Sequence, residues 1–190
     1  MRRIIWLLLI VLGLMIGVGG CARLPNGPEP PPGEPKYQLK ITVEVKGEIN
    51  TFKGIYYIAL DTDGNPATGP GEDISWWEGN FYYVKLDNMG CYLYPKEEGS
   101  AIVLTSSVFD NKKKLQVTIA LSDLGNPESS IEINAVTTDS GGYTTYDYLE
   151  NYFSIITQLY QTGEGTSSKD LEDDEEDFDI VKVTAQITTY

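Results

Sequence analysis

The chain contains no histidine. That absence removes serine and cysteine nucleophiles activated by imidazole, histidine-ligated zinc and bis-histidine haem. Methionine is scarce: Met1 and Met15 lie in an N-terminal apolar stretch, and beyond it only Met89 remains. A Met/His haem site is therefore also missing. Positive charge is scarce as well. Fourteen Lys and Arg stand against 28 Asp and Glu, a formal charge of −14. No basic stripe exists to meet phosphates, which excludes nucleic acid as a partner. Direct adsorption to anionic lipid is excluded on the same ground. Cations and neutral ligands are compatible with this balance. Cysteine occurs twice, at Cys21 and Cys91.

What is present begins with Met1-Arg2-Arg3, a short basic start, followed by an almost unbroken apolar run from Ile4 to Val18. This is the pattern of an export signal. A permanent span of about 20 apolar residues is the competing reading. The run ends in Val18-Gly19-Gly20-Cys21, which resembles the lipobox of bacterial lipoproteins. The resemblance implies a signal peptide over residues 1–20, cleavage before Cys21, and acylation of Cys21 as the new N-terminus. Acyl chains bury about 0.8 kcal/mol per CH₂, and several together hold far better than one. Either reading places the rest of the chain outside the cytoplasm, anchored to the cell membrane or outer membrane of a bacterium. Ala22 in place of Asp after the lipidated cysteine points, by the same resemblance, to an outer membrane where the host has one.

Residues 21–35 form a linker. Six prolines between Ala22 and Pro35 forbid helix and sheet. An extended polyproline-like tether rises roughly 3.1 Å per residue, giving about 40 Å of reach. Its expected role is to hold a folded domain, residues 36–190, away from the lipid surface. Cleavage would leave 12 of the 14 basic residues against all 28 acidic ones, a formal charge of −16. With Cys21 lipidated, Cys91 has no disulfide partner. It reads as a buried small apolar residue.

The stretch richest in chemistry runs from Asp61 to Asp73, Asp-Thr-Asp-Gly-Asn-Pro-Ala-Thr-Gly-Pro-Gly-Glu-Asp. It follows the apolar run Ile55–Leu60, which reads as a strand. Oxygen side chains fall at positions 1, 3, 5 and 12 of the loop: Asp61, Asp63, Asn65 and Glu72. A hard cation such as Ca²⁺ takes six to eight oxygens from a loop that folds back on itself. The fit to an EF-hand is partial, because position 6 is Pro66 rather than Gly and the flanks read as strands. The same residues also suit an ordinary polar turn.

Apolar and polar residues alternate at period 2 through Leu39–Lys46, Lys114–Leu121, Ile131–Val136 and Val181–Thr188. Further runs cover Phe81–Leu86, Cys91–Tyr94 and Ala101–Phe109, with turns at residues 87–90, 96–99 and 110–113. Roughly nine short strands at this spacing predict an all-β chain, an antiparallel, jelly-roll-like β-sandwich. One helical turn is expected at Leu121–Gly125, capped by Ser122 and ended by Gly125.

The sequence Tyr57-Ile58-Ala59-Leu60-Asp61-Thr62-Asp63-Gly64-Asn65-Pro66-Ala67-Thr68-Gly69, with Leu115–Ile119 leading into Leu121-Ser122-Asp123-Leu124, resembles the family 9 carbohydrate-binding-module-like sandwiches. That wider group includes the DOMON domains. The resemblance implies a sandwich, a structural Ca²⁺ near the loop, and carbohydrate binding in some relatives. The expectation is a module without a fused catalytic domain, and the haem ligands of redox DOMON domains are absent from these residues.

Aromatics supply candidate ligand contacts. In Phe81–Leu86, Lys85 marks the solvent side, so Tyr82, Val84 and Leu86 should point inward and Phe81 and Tyr83 outward. One of Trp76 and Trp77 should likewise be exposed. Trp76, Trp77 and Tyr83 are thus candidates for stacking on sugar faces; covering a sheet edge is the alternative. Tyr143, Tyr146, Tyr148, Tyr152 and Phe153 suggest a loop closing one end of the sandwich. An acidic insertion over residues 164–179, with eight acids in the ten residues from Asp170 to Asp179, reads as a solvated mobile loop before the last strand. The functional expectation is a lipid-anchored envelope binding module for carbohydrate or an envelope protein, not an enzyme. The alternative is a structural or protein-interaction domain without a small ligand. A glycosidase would need two carboxyls across a cleft, such as Asp61 and Glu78, one with a raised pKa.

Overall fold

The computed structural model describes residues 36–190 apart from Tyr160, Asp173 and Asp174. The signal peptide, Cys21 and the proline-rich linker lie outside the described residues. The alternating runs form strands as the period-2 pattern dictates. They are β1 (Tyr37–Val45), β2 (Gly54–Asp61), β3 (Tyr82–Asp87), β4 (Gly90–Tyr94), β5 (Ile102–Val103), β6 (Thr105–Phe109) and β7 (Lys114–Ala120). β8 (Ser130–Asp139), β9 (Thr145–Tyr148), β10 (Phe153–Ile156), β11 (Thr162–Gly165) and β12 (Ile180–Thr189) follow. Two antiparallel sheets result, ordered β11-β12-β1-β7-β6 and β10-β8-β2-β3-β4-β5, with β9 also paired to β8. The chain is an all-β sandwich.

The core lies between the sheets. Leu39, Ile41, Val43 and Val45 of β1 meet Ile58 and Leu60 of β2 and Ile131 and Ile133 of β8. Each fully buried aliphatic side chain contributes about 1.5–3 kcal/mol. Val84 and Leu86 are buried and Tyr82 packs on this core, while Phe81 and Tyr83 lie on the outer side, as alternation requires.

Twelve described strands replace the nine expected, for local reasons. The run Ala101–Phe109 is not one strand: at Leu104, whose N–H donates to Cys91, the chain passes from β5 in one sheet to β6 in the other. The tyrosine-rich stretch expected as a closing loop instead supplies β9 and β10, which share the free edge of β8. At β12, Val45 pairs with Ile180 after a register shift. Ile180 therefore enters the core, and Val181, expected inside, is exposed. The turn at Leu121–Leu124 is a 3₁₀ turn ended by Gly125 at φ 77°, but Ser122 does not cap it; Ala120 holds that position without a side-chain bond.

The acidic insertion also differs from expectation. Its first residues form β11, and its described remainder is pinned rather than freely solvated. Leu171 and Phe178 are buried. Asp177 accepts from Glu48 N–H at 2.9 Å and Asn50 Nδ2 at 3.1 Å. Buried Asp147 accepts from Ile180 N–H at 2.6 Å, and Lys46 bridges Asp170 and Glu176 at 3.0 and 2.9 Å. Backbone donors and one lysine absorb charge that would otherwise repel itself.

Candidate ligand and cation site

Twenty residues, 62–81, connect β2 to β3. They fold back over the outer face of the second sheet, because that face carries groups needing cover. Strand β8 is buried along nearly its whole length on both sides. Alternation assigned Glu132, Asn134 and Val136 to a solvated face; in the fold all three are buried. Trp77 is the reason at Val136: it is 1% exposed and packs there with Ala59. Its indole N–H donates to Gly71 O at 3.1 Å, and Tyr57 meets it edge-on at 6.4 Å. Asn134 Nδ2 donates to Pro70 O at 2.8 Å, tying the loop down from below. Gly69 lies flat on the Tyr152 ring, where a Cβ would come within 2.7 Å of ring carbons.

The start of the loop is a series of side-chain-to-backbone turns. Asp63 N–H donates to Asp61 Oδ1 at 3.1 Å, Asn65 N–H to Asp63 Oδ1 at 2.7 Å, and Ala67 N–H to Asn65 Oδ1 at 3.2 Å. Gly64, at φ 78°, makes the bend. The polar-turn chemistry is thus realised, and the Thr68 hydroxyl adds a bond to the second oxygen of Asp63 at 3.4 Å.

Those carboxylates converge on a residue that the loop spacing did not suggest. Asp61 and Glu132 are register partners on β2 and β8, and both project from the outer face. One carboxylate oxygen from each of Asp61, Asp63 and Glu132 lies within 4.8 Å of the other two. Glu132 is fully buried, and neither of its oxygens has a hydrogen-bond partner. The Ser130 and Ser154 hydroxyls lie near enough to favour its charged form without bonding it in good geometry. Burial nonetheless pushes the Glu132 pKa up, and the charges of Asp61 and Asp63 push the same way. Burial likewise raises Asp61. A buried unpaired carboxylate is costly unless it is neutralised. Oxygen donors alone, all acidic, suit a hard divalent cation.

Of the other candidate cation ligands, Asn65 accepts from Ala67 N–H through its side-chain oxygen. Glu72 accepts from the Tyr148 hydroxyl, which raises the Tyr148 pKa; it lies outside the carboxylate group. Glu132 escaped notice because alternation placed it in solvent. The available signal was the length of the following loop, which had to cover one sheet face.

An open cleft of about 690 Å³ lies over this cluster, lined among others by Asp61, Asp63, Glu72, Trp76, Phe81 and Lys96. That volume is in the range of small-molecule sites. Trp76 stands at the cleft with 70% of its surface exposed. No family model, curated protein or solved structure matches the chain.

The two tryptophans diverge because they sit in and just after a 3₁₀ turn, Ile74–Trp76. Successive residues there point about a third of a turn apart. Asp73 caps the turn, accepting from Ser75 N–H at 3.0 Å and Ser75 Oγ at 2.6 Å. The expectation that one tryptophan is exposed holds, through a turn rather than a strand. Trp77, which also borders the cleft, presents almost no free surface. Tyr83 does not border it; its ring stacks on Tyr94 at 4.8 Å and 5°.

Proposed function

We propose that the chain is a non-enzymatic, lipid-anchored binding module of the bacterial envelope whose cleft takes carbohydrate, with Ca²⁺ at Asp61, Asp63 and Glu132. The observation that carries this reading is Trp76, a large flat ring held exposed at a largely apolar cleft that also carries acidic and amide side chains. Such a ring stacks on the apolar face of a sugar, and carboxylates and amides orient the hydroxyls. The residues fit the cation, since it would neutralise the unpartnered Glu132. The lining of the cleft speaks against glycoside hydrolysis. Of the two candidate carboxyls for that chemistry, Asp61 borders the cleft and Glu78 does not, and Glu132, which like Asp61 has a raised pKa, does not border it either.

The test is a glycan-binding screen with the full chain in detergent and Ca²⁺, using Trp76→Ala as control. Binding that the variant loses supports the carbohydrate reading. A folded protein that binds no glycan rejects it. A second reading, a protein-interaction domain, draws on one observation: the edge strands β5 and β6 adjoin in sequence, and Val103, Val108 and Phe109 are exposed there. Open edges with apolar side chains accept an added strand.

A further inference from the structure

Resting on the carbohydrate reading, we infer that the cation at Asp61, Asp63 and Glu132 is part of the ligand site. Its open coordination positions take two vicinal hydroxyls of a neutral glycan whose ring stacks on Trp76.

The three carboxylates alone leave the coordination shell of a hard cation short. The cluster brings together one carboxylate oxygen from each of three residues, three against the six to eight that Ca²⁺ takes. The shortfall has a direction. Glu132 closes the buried side, whereas Asp61 and Asp63 border the cleft and Asp63 is exposed. Open positions on a cation held there would therefore face the cleft that Trp76 also borders. Water would fill them in the free protein, and paired hydroxyls can replace two waters at little cost in coordination energy.

Charge selects a neutral ligand. Asp61, Asp63, Glu72 and Asp73 border the cleft and Glu132 lies behind it, against one lysine, Lys96. Five carboxylates outweigh a divalent cation and one ammonium, so the loaded cleft stays negative and repels polyuronates.

The experiment loads the full chain, in detergent, with Tb³⁺ in place of Ca²⁺. Luminescence lifetimes in H₂O and D₂O count the waters on the ion. Mannan, galactan, xylan and dextran are then added as neutral probes. The expected result is that a bound glycan removes about two coordinated waters. Its affinity also falls at least tenfold in EDTA and in Glu132→Gln. Glycan binding with an unchanged water count and equal affinity in EDTA overturns the inference and leaves the carbohydrate reading standing. A Tb³⁺-loaded protein that binds none of the probes overturns both. If Glu132→Gln does not fold, Asp63→Asn, at an exposed position, gives the same readout.

Discussion

Asp61 and Glu132 lie directly opposite one another on adjacent antiparallel strands, with their side chains on the same face and both buried. Like charges in that arrangement destabilise a sheet. Neither forms a salt bridge among the described residues. The pair is stable as two ions only with a cation between them, or as neutral acids without one.

Cation removal should therefore lower the melting temperature. At a hundred times Kd, Ca²⁺ contributes about 2.7 kcal/mol, which is about 5–10 °C for a domain of this size. Replacing Ca²⁺ with EDTA in a thermal melt of the full chain should show that shift. Glu132→Gln should remove the difference and raise the melting temperature of the cation-free protein, because it removes the cost of holding the buried carboxyl protonated at neutral pH. A variant that keeps the calcium shift would place the cation elsewhere.

The two tryptophans should separate stability from binding. Trp77→Ala empties the space over Ala59 and Val136 and should cost about 3–5 kcal/mol in urea denaturation. Trp76→Ala, at an exposed position, should change stability by no more than about 0.5 kcal/mol while abolishing glycan binding. Equal effects of the two on stability would contradict their opposite burial.

Asn134→Ala should loosen the loop without touching a carboxylate. It removes the bond to Pro70 O and leaves that carbonyl unpaired beneath the chain, a loss of about 1–3 kcal/mol. Hydrogen exchange should accelerate over residues 62–73 and stay unchanged in β1 and β7.

Asp139 provides a test through pH. Bonds from Tyr143 N–H at 2.8 Å and Thr144 N–H at 3.3 Å hold its pKa below the ordinary carboxylate value. A depressed folded-state pKa adds stability that is complete above the unfolded value, about 3.9, and is lost as pH falls through the folded one. Asp139→Ala should therefore be destabilised relative to the parent at pH 7. The gap should narrow as pH drops below about 4. A gap independent of pH would mean that the carboxylate charge plays no part in the turn.

The fold was legible wherever burial is one-sided. β1 and β7 show the alternation in full because one face packs on the core and the other meets water. The reading failed where a second layer covers the outer face. In β8, Glu132 and Asn134 look like surface residues locally, and only the returning loop buries them. It failed again at Val181, where a bulge moves Ile180 inward, since a one-residue shift is invisible to a period-2 pattern.

The candidate site divides in the same way. Asp61 and Asp63 were legible because turn geometry and cation chemistry both favour closely spaced acids, and their side-chain-to-backbone bonds span only two residues. Local chemistry also determined that a tryptophan would be exposed, because adjacent side chains cannot share one direction. Tertiary structure alone decided which tryptophan it was, through the packing of Trp77 on Ala59 and Val136. It alone brought Glu132, 71 positions after Asp61, into the carboxylate cluster. Strand pairing creates that proximity, and periodicity within a single strand holds no information about which strand lies beside it.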